Sequence, residues 1–292
     1  MGGRTQMFEF PEKLYIPVEK WIDVVMEWIL VNTVVFFDAI GGALLKTLVI
    51  MDKVLLWIPW PVVLVIVAVA AWRTMGKWWH GVAMAGLIFL IGILGFWDHA
   101  MTTLAIVFAS VVVSLIIGFP LGILMARSDR FQTFFRPVLD GMQTMPSFVY
   151  LIPAMMLFGL GKVPAVFATV IYAVPPIIRL TDVGIRGVPE SVVEAAKSFG
   201  ASDRQLLFDV QLPLAFPSIM VGVNQTTMMA LAMVVIASMI GARGLGLEVL
   251  KAINRIEIGH GFTAGLSIVF LAIVIDLITN AFATKQQKHL SL

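Results

Sequence analysis

Seven apolar stretches, each near the length that crosses a bilayer, constrain the fold of this 292-residue chain more than any other feature. A transmembrane helix needs about 20 consecutive, mostly apolar residues. The stretches are 54–72, 78–97, 100–126, 138–160, 164–180, 214–242 and 262–283. Only 13% of the residues are charged, about half the fraction found in soluble domains. The sequence therefore predicts an all-α integral membrane protein with about seven spans.

Basic residues beside these stretches indicate which side of the membrane faces the cytoplasm. If the chain alternates between sides, one side collects most of the arginines and lysines. They are Arg73, Lys77, Arg127, Arg130, Arg136, Arg186, Lys197, Arg204, Lys285 and Lys288. Because cytoplasmic loops carry an excess of such residues, we expect this side, with a tail at 284–292, to face the cytoplasm. Arg243, Lys251 and Arg255 fall on the opposite side, but they are fewer.

The amino-terminal segment, residues 1–53, is predicted to be amphipathic and interfacial. From 17 to 30, apolar residues recur at helical spacing opposite a charged face, which favours a helix lying in the membrane interface. That face carries Glu19, Lys20, Asp23 and Glu27. Residues 31–50 stay open between a span and a surface segment, because Asp38 and Lys46 make a span costly. The first twenty residues lack the apolar core of a secretory signal peptide.

A charged, amphipathic loop at 181–213 interrupts the apolar stretches and must lie in water. Glu190 and Glu194 suit the start of a short helix, where the helix dipole favours acids. Gly200 can adopt the left-handed conformation that ends a helix, and Ser202 can cap a second one. The sequence predicts a helix, a glycine turn and another helix on the cytoplasmic side, with Pro213 expected to break the pattern where the chain re-enters the membrane.

Within this loop, Glu194-Ala195-Ala196, Gly200, Val210 and Leu212-Pro213 follow each other at a distinctive spacing. The order resembles the signature cytoplasmic loop of ABC importer permeases, with Val210 where isoleucine is usual. Three further segments, 143–153, 173–179 and 241–246, are similar to the permease subunits of glycine betaine/proline betaine importers. The resemblance covers about residues 95–280.

The resemblance implies a type I ABC importer transmembrane fold within residues 54–283, in a bacterial or archaeal cell (inner) membrane. It implies that a separate ATPase subunit, which binds ATP and Mg²⁺, docks on the loop. The residues assigned to this coupling are Glu194, Ala195, Ala196, Gly200, Leu212 and Pro213. A substrate-binding protein and a second permease copy are the other expected partners. Gly159-Leu160-Gly161-Lys162 lacks the spacing and hydroxyl of a phosphate-binding loop, so no ATPase activity is expected in this chain.

Three aromatic residues, Phe148, Tyr150 and Tyr172, lie near proline-rich segments where helices are expected to bend and open a cavity. Aromatic faces hold quaternary ammonium groups, so these residues are candidates for the substrate path. Polar residues in or near the spans are the other candidates, since charge in a membrane is costly. They are Asp140, Asp182, Asn224, Gln225 and Asp276. Asn224 and Gln225 favour helix-to-helix hydrogen bonds.

Several classes of function are disfavoured by composition. There is no cysteine, the four histidines share no metal-ligand spacing, and no catalytic constellation can be assembled. The net charge of +2 gives no reason to expect nucleic acid binding. Alternatives to a betaine permease are an ABC permease for choline, carnitine, trimethylamine oxide or an amino acid, or an ion-gradient-driven transporter that uses Asp276 or Asp140. A membrane-embedded enzyme would need a catalytic cluster.

Overall fold

The computed structural model describes residues 16–290, with 286–290 described by their backbone alone. The start of the predicted amino-terminal segment and the end of the predicted tail, 284–292, therefore lie outside the described residues. Over 16–290 the chain is helical apart from short connections, and this range contains no strand. The predicted all-α fold is confirmed.

Twelve α-helices make up the described chain. They are α1 (Val18–Trp57), α2 (Trp60–Met75), α3 (Trp78–Ile93), α4 (Trp97–Arg127), α5 (Asp129–Thr144), α6 (Leu151–Phe158), α7 (Lys162–Arg186), α8 (Glu190–Ser198), α9 (Asp203–Gln205), α10 (Leu212–Ala237), α11 (Leu245–Arg255) and α12 (Ile258–Leu290). A π-helical turn, Leu206–Gln211, joins α9 to α10, so that 203–240 forms one long helix.

Five described helices are long and apolar enough to cross a membrane, namely α1, α4, α7, the α9–α10 helix and α12. The predicted spans 54–72 and 78–97 correspond to shorter apolar helices, α2 and α3, of 16 residues each. At about 1.5 Å per residue, such a helix is shorter than the roughly 30 Å hydrocarbon core. The count of about seven spans is thus approximate.

Helix α1 differs from the predicted amino-terminal segment. It does not end near residue 30 but continues as a single helix through the region that the sequence left open and past the predicted boundary at residue 53. Asp38 and Lys46 have exposed side chains and leave the helix intact. Asp52, near the end of α1, forms an ion pair with Lys162 at the start of α7, with 2.7 Å between Asp52 Oδ2 and Lys162 Nζ. This pair links α1 to the bundle. The break comes instead at Pro59, which precedes α2.

The predicted span 138–160 is not one helix. Helix α5 ends at Thr144, and Met145 is extended with ψ 134° because Pro146 follows it. A 3-10 turn, Ser147–Tyr150, then leads into the eight-residue α6. Prediction from hydropathy missed this interruption because its residues are almost all apolar.

Helix α7 lies at the centre of the bundle and is longer than the predicted 164–180. Pro175 and Pro176 lie inside it without ending it, so the expected proline break is absent there. Glycines bring its neighbours close: a Cβ on Gly122 of α4 would lie 2.5 Å from Thr181 Cβ, and one on Gly184 would lie 2.9 Å from Ser218 Cβ of α10. Small residues permit such close helix packing in membranes, and it leaves most of α7 buried.

Candidate functional site

The loop between α7 and α10 has the predicted helix, glycine turn and second helix. Helix α8 follows Pro189, carries Glu190 in its first turn and ends at Ser198, with Phe199 as its C-cap residue. Gly200 has φ +83°, and its N–H donates to Lys197 O at 2.9 Å. An L-residue with a Cβ rarely adopts this left-handed conformation, so glycine fixes the direction in which the chain leaves α8.

The second helix begins with a capping box. Ser202 Oγ accepts from Gln205 N at 3.4 Å, and Gln205 Oε1 accepts from Ser202 N at 2.9 Å. Leu206 and Leu207 are buried and anchor the loop to the bundle. Pro213 does not break the helix, contrary to its predicted effect, because the preceding π-helical turn accommodates a residue that lacks an N–H.

The candidate coupling residues form an exposed surface. None of the side chains of α8 is buried, and Phe199 is 93% exposed. Ala196, Phe199 and Gly200 line a shallow groove of about 320 Å³ beside α9. Glu194 and Ala195 are exposed as well, whereas Leu212 and Pro213 are half-buried where α10 begins. The side chain of Phe199 is therefore accessible from outside the chain.

Asp182 and Asp140 are held by partners near this loop. Asp182 is 4% exposed and accepts from Gln132 Nε2 at 2.7 Å and from Arg186 Nε at 2.8 Å. Asp140 forms an ion pair with Arg179 of α7. Both carboxylates therefore link α5 to α7.

Asp276, a residue of α12, forms a hydrogen bond across to α10. Its Oδ1 accepts from Asn224 Nδ2 at 2.8 Å and from Asn280 Nδ2 at 2.9 Å. The predicted hydrogen bond between helices is confirmed for Asn224, whereas the exposed Gln225 makes no side-chain hydrogen bond to the described residues. Asp276 pairs with amides rather than with a basic group.

Two of the three candidate aromatic residues lie together. The ring centroids of Tyr150 and Tyr172 are 6.2 Å apart, and Tyr150 OH donates to Met142 O at 2.6 Å. Tyr150 is buried, whereas Phe148 is 58% exposed on the same 3-10 turn. The structure thus pairs the tyrosines and separates Phe148 from them.

A polar cluster that the sequence did not reveal surrounds Glu248 of α11. This carboxylate is 7% exposed and lies 2.8 Å from Lys251 Nζ, 3.1 Å from His260 Nε2 and 3.6 Å from His99 Nε2. Burial alone would raise the pKa of Glu248, but hydrogen bonds from Lys251 and His260 and the charge of His99 outweigh it and lower the pKa. Only the spacing of Glu248 and Lys251 was visible in the sequence. Among the described residues, no group of three His, Cys, Asp or Glu side chains is arranged to hold a metal ion.

Residues 118–291 match the family of binding-protein-dependent transport system inner membrane components. Over 271 residues, 92% of this chain and 76% of the relative, the chain is 47% identical to the glycine betaine/proline betaine transport system permease protein ProW of Escherichia coli (strain K12). It is 46% identical to the glycine betaine/carnitine transport permease protein GbuB of Listeria monocytogenes (serotype 1/2a, strain 10403S), over 94% of this chain and 98% of that protein. It is 43% identical to the glycine betaine transport system permease protein OpuAB of Bacillus subtilis (strain 168), over 94% and 97%.

The fold is similar to a chain of the MetNI methionine ABC transporter in an inward-facing conformation. The TM-score is 0.55 with 22% identity, over 64% of this chain and 92% of that chain. At this identity the likeness bears on the fold alone. It supports a type I importer arrangement of the helices.

Proposed function

This chain belongs to the family of binding-protein-dependent transport system inner membrane components, and we propose that it carries glycine betaine or a related quaternary-ammonium osmoprotectant across the membrane. It is a multi-pass inner membrane protein and a transport subunit rather than an enzyme. The observation that carries the substrate proposal is the sequence identity of 43–47% to three permeases, over at least 92% of this chain. The names of all three include glycine betaine.

The exposed face of α8 is the docking site for a separate ATPase subunit in this proposal. Glu194, Ala195 and Ala196 present that face, Gly200 sets its angle, and Leu212-Pro213 joins the loop to α10. ATP and Mg²⁺ bind the partner subunit. The glycine-rich stretch before α7 has a structural role here, because Gly161 N donates to Ile240 O at 2.9 Å and Lys162 pairs with Asp52.

A second permease copy completes the path, and a substrate-binding protein delivers the solute at the end opposite to α8. Tyr150 and Tyr172 are the better candidates for contact with a quaternary ammonium, since their rings lie together and aromatic faces attract such cations. Phe148, which is exposed, would contact substrate only if the path lies between this chain and the proposed second copy.

Carnitine and trimethylamine N-oxide are the second candidate substrates. The relative GbuB is named for glycine betaine and carnitine, and the chain is 39% identical over 231 residues to the trimethylamine N-oxide transport system permease protein TmoV of Pelagibacter ubique (strain HTCC1062). Both compounds share the small, polar, nitrogen-centred chemistry of betaine.

Uptake of labelled glycine betaine by the permease reconstituted with its ATPase and binding protein tests the proposal. We expect uptake that requires ATP, persists when proton and sodium gradients are collapsed, and is competed by unlabelled betaine more strongly than by carnitine or trimethylamine N-oxide. The purified permease alone should hydrolyse no ATP. Uptake that follows an ion gradient and ignores ATP would instead identify a secondary transporter, with Asp276 or Asp140 as the first residues to substitute.

A further inference from the structure

Helix α5 is attached to the bundle by an apolar face and by polar contacts to α7. Of its 16 residues, all of which are described, only Leu139 is fully buried. Phe131, Phe135 and Met142 are partly buried against the same cluster. Three polar side chains, Asp129, Gln132 and Asp140, also bond to residues of α7. The apolar face, with Leu139 at its centre, holds α5 on the bundle, and the polar contacts fix how α5 sits relative to α7.

Arg186 is the centre of this attachment. Its Nε donates to Asp182 Oδ1 at 2.8 Å, its Nη1 to Asp129 Oδ1 at 2.6 Å and its Nη2 to Met125 O at 2.7 Å. Asp182 also accepts from Gln132, at 2.7 Å. One guanidinium thus joins the last turn of α4, the first turn of α5 and α7.

The chemistry of this group explains why arginine stands here. The planar guanidinium presents five N–H donors in a fixed fork, whereas a lysine ammonium is a compact charge on a flexible stem. The buried carboxylate of Asp182 would be costly without a paired donor. Arg186 therefore neutralises Asp182 and, with its remaining N–H groups, fixes two other helices.

The position of Arg186 gives the cluster a mechanical consequence. Arg186 is the last residue of α7, and only Gly187, Val188 and Pro189 separate it from α8. The end of α7 is itself rigid, since a Cβ on Gly184 would lie 3.2 Å from Ala215 O of α10. A displacement of α8 therefore reaches Arg186 through a three-residue connection.

We propose that Arg186, oriented by Asp182, is a positioning residue that makes α5 and the end of α4 follow the coupling helix α8. When the ATPase moves α8, the cytoplasmic ends of α4, α5 and α7 move as one body and the permeation path responds. Without this joint α8 moves with the ATPase while α5 lags behind, and ATP is hydrolysed without transport. The inference rests on the proposed function of α8.

Arg186→Lys is the informative substitution. Lysine keeps the positive charge beside Asp182, so no buried carboxylate is left unpaired, but it cannot bond Asp182, Asp129 and Met125 O in the same fork. Arg130→Lys is the matched control, because Arg130 lies on the same end of α5 and makes no side-chain hydrogen bond or ion pair within residues 16–285. Gln132→Leu weakens the joint from the α5 side and leaves Arg186 on Asp182.

The experiment measures betaine uptake and ATP hydrolysis together in proteoliposomes that contain the complete importer. We expect Arg186→Lys to lower uptake per ATP at least about fivefold, the low end of ordinary coupling between sites, while ATP hydrolysis continues. Gln132→Leu should lower the same ratio less, and Arg130→Lys should leave it unchanged.

Ratios for Arg186→Lys and Gln132→Leu that equal the Arg130→Lys ratio would overturn the inference while leaving the proposed function intact. If Arg186→Lys does not assemble with the ATPase, the Gln132→Leu ratio decides. An unsubstituted complex with no ATP-driven uptake would remove the proposed function, and the inference with it.

Discussion

The two ends of the bundle differ in how far their short connecting helices are buried. At the end that carries α8, an aromatic side chain and a nine-residue helix stand exposed, with no side chain of α8 buried. At the other end, α11 packs against the bundle, and Glu248 is surrounded by Lys251, His99 and His260. Helix α8 is thus exposed or half-buried along its whole length, whereas α11 buries a charge that is paired within the chain.

The exposed residues of α8 and the buried cluster around Glu248 should respond differently to substitution. Exposed residues at a distinctive spacing, such as Glu194-Ala195-Ala196, gain nothing from their own fold and are expected to act through a partner. A buried carboxylate such as Glu248 must be compensated locally, because an unpaired buried charge is costly. Substitutions should therefore affect coupling at one end and stability at the other.

Thiol labelling from one side of the membrane should show the largest difference between the two ends, because each end is either accessible to the reagent or not. The chain has no cysteine, so Ser191→Cys in α8 and Asn254→Cys in α11 introduce single exposed thiols at the two ends. An impermeant thiol reagent applied to the outer face should label Asn254→Cys only. Labelling of Ser191→Cys from outside would place α8 beyond the reach of any cytoplasmic ATPase.

Gly200→Val should abolish most coupled uptake while the protein still inserts. Valine is strained at φ +83°, so α8 should leave its present angle, and we expect a loss of transport of about tenfold or more, equivalent to about 1.4 kcal/mol. Uptake and ATPase binding are measured at matched expression. Gly86→Val is the control, because a Cβ at Gly86 meets nothing within 4 Å in a helical turn. Normal uptake by Gly200→Val would contradict the role of the turn.

Phe199→Ala should weaken binding of the ATPase subunit by a moderate amount. A buried aromatic anchor contributes about 1–3 kcal/mol to an interface, so we expect a rise in the dissociation constant of roughly five- to a hundredfold. Phe262→Ala removes a comparably exposed phenylalanine (70%) from the opposite end and should leave ATPase binding unchanged. Equal changes in the dissociation constant for the two substitutions would contradict a specific role of Phe199 in binding the ATPase subunit.

Glu248→Gln should have the smallest effect and should act on stability. Hydrogen bonds to a charged group contribute about 1.5–3 kcal/mol, so we expect Tm to fall by several degrees at pH 7. Since folding lowers the pKa of Glu248 below its ordinary value of 4.5, its contribution is complete above about pH 4.5 and is lost as pH falls through the lowered value. The Tm difference from the unsubstituted protein should therefore shrink as the pH falls below about 4.5.

Glu257→Gln is the control for this measurement. The Glu257 side chain is exposed, and its Oε1 lies 3.9 Å from Arg255 Nη1. It should leave Tm unchanged, because exposed ion pairs contribute little. A Glu248→Gln protein as stable as the control at pH 7 would show that the cluster does not hold α11.

Much of the α8 region could be predicted from the sequence, because its determinants are local. A proline before the helix, acids in its first turn, a glycine after its end and a capping Ser202 act within a few residues of one another, and the structure has each of them. The same locality made the membrane class predictable, since a run of apolar side chains needs no partner to favour a bilayer. Failures began where proline acts in context: Pro146 ended a predicted span, whereas Pro175, Pro176 and Pro213 stayed within helices.

The sequence by itself determined that this protein is an all-α membrane protein with a charged, helix–turn–helix loop between its apolar stretches. Only the tertiary structure decided which distant polar residues meet: Asp52 with Lys162, Arg186 with Asp129 and Met125, and Glu248 with His99 and His260. The physical reason is that helix periodicity and capping act between neighbours in the chain. A buried charge, by contrast, needs a hydrogen-bond partner. Which partner is in reach depends on how the glycine-lined helices pack, and that packing joins residues far apart in the sequence.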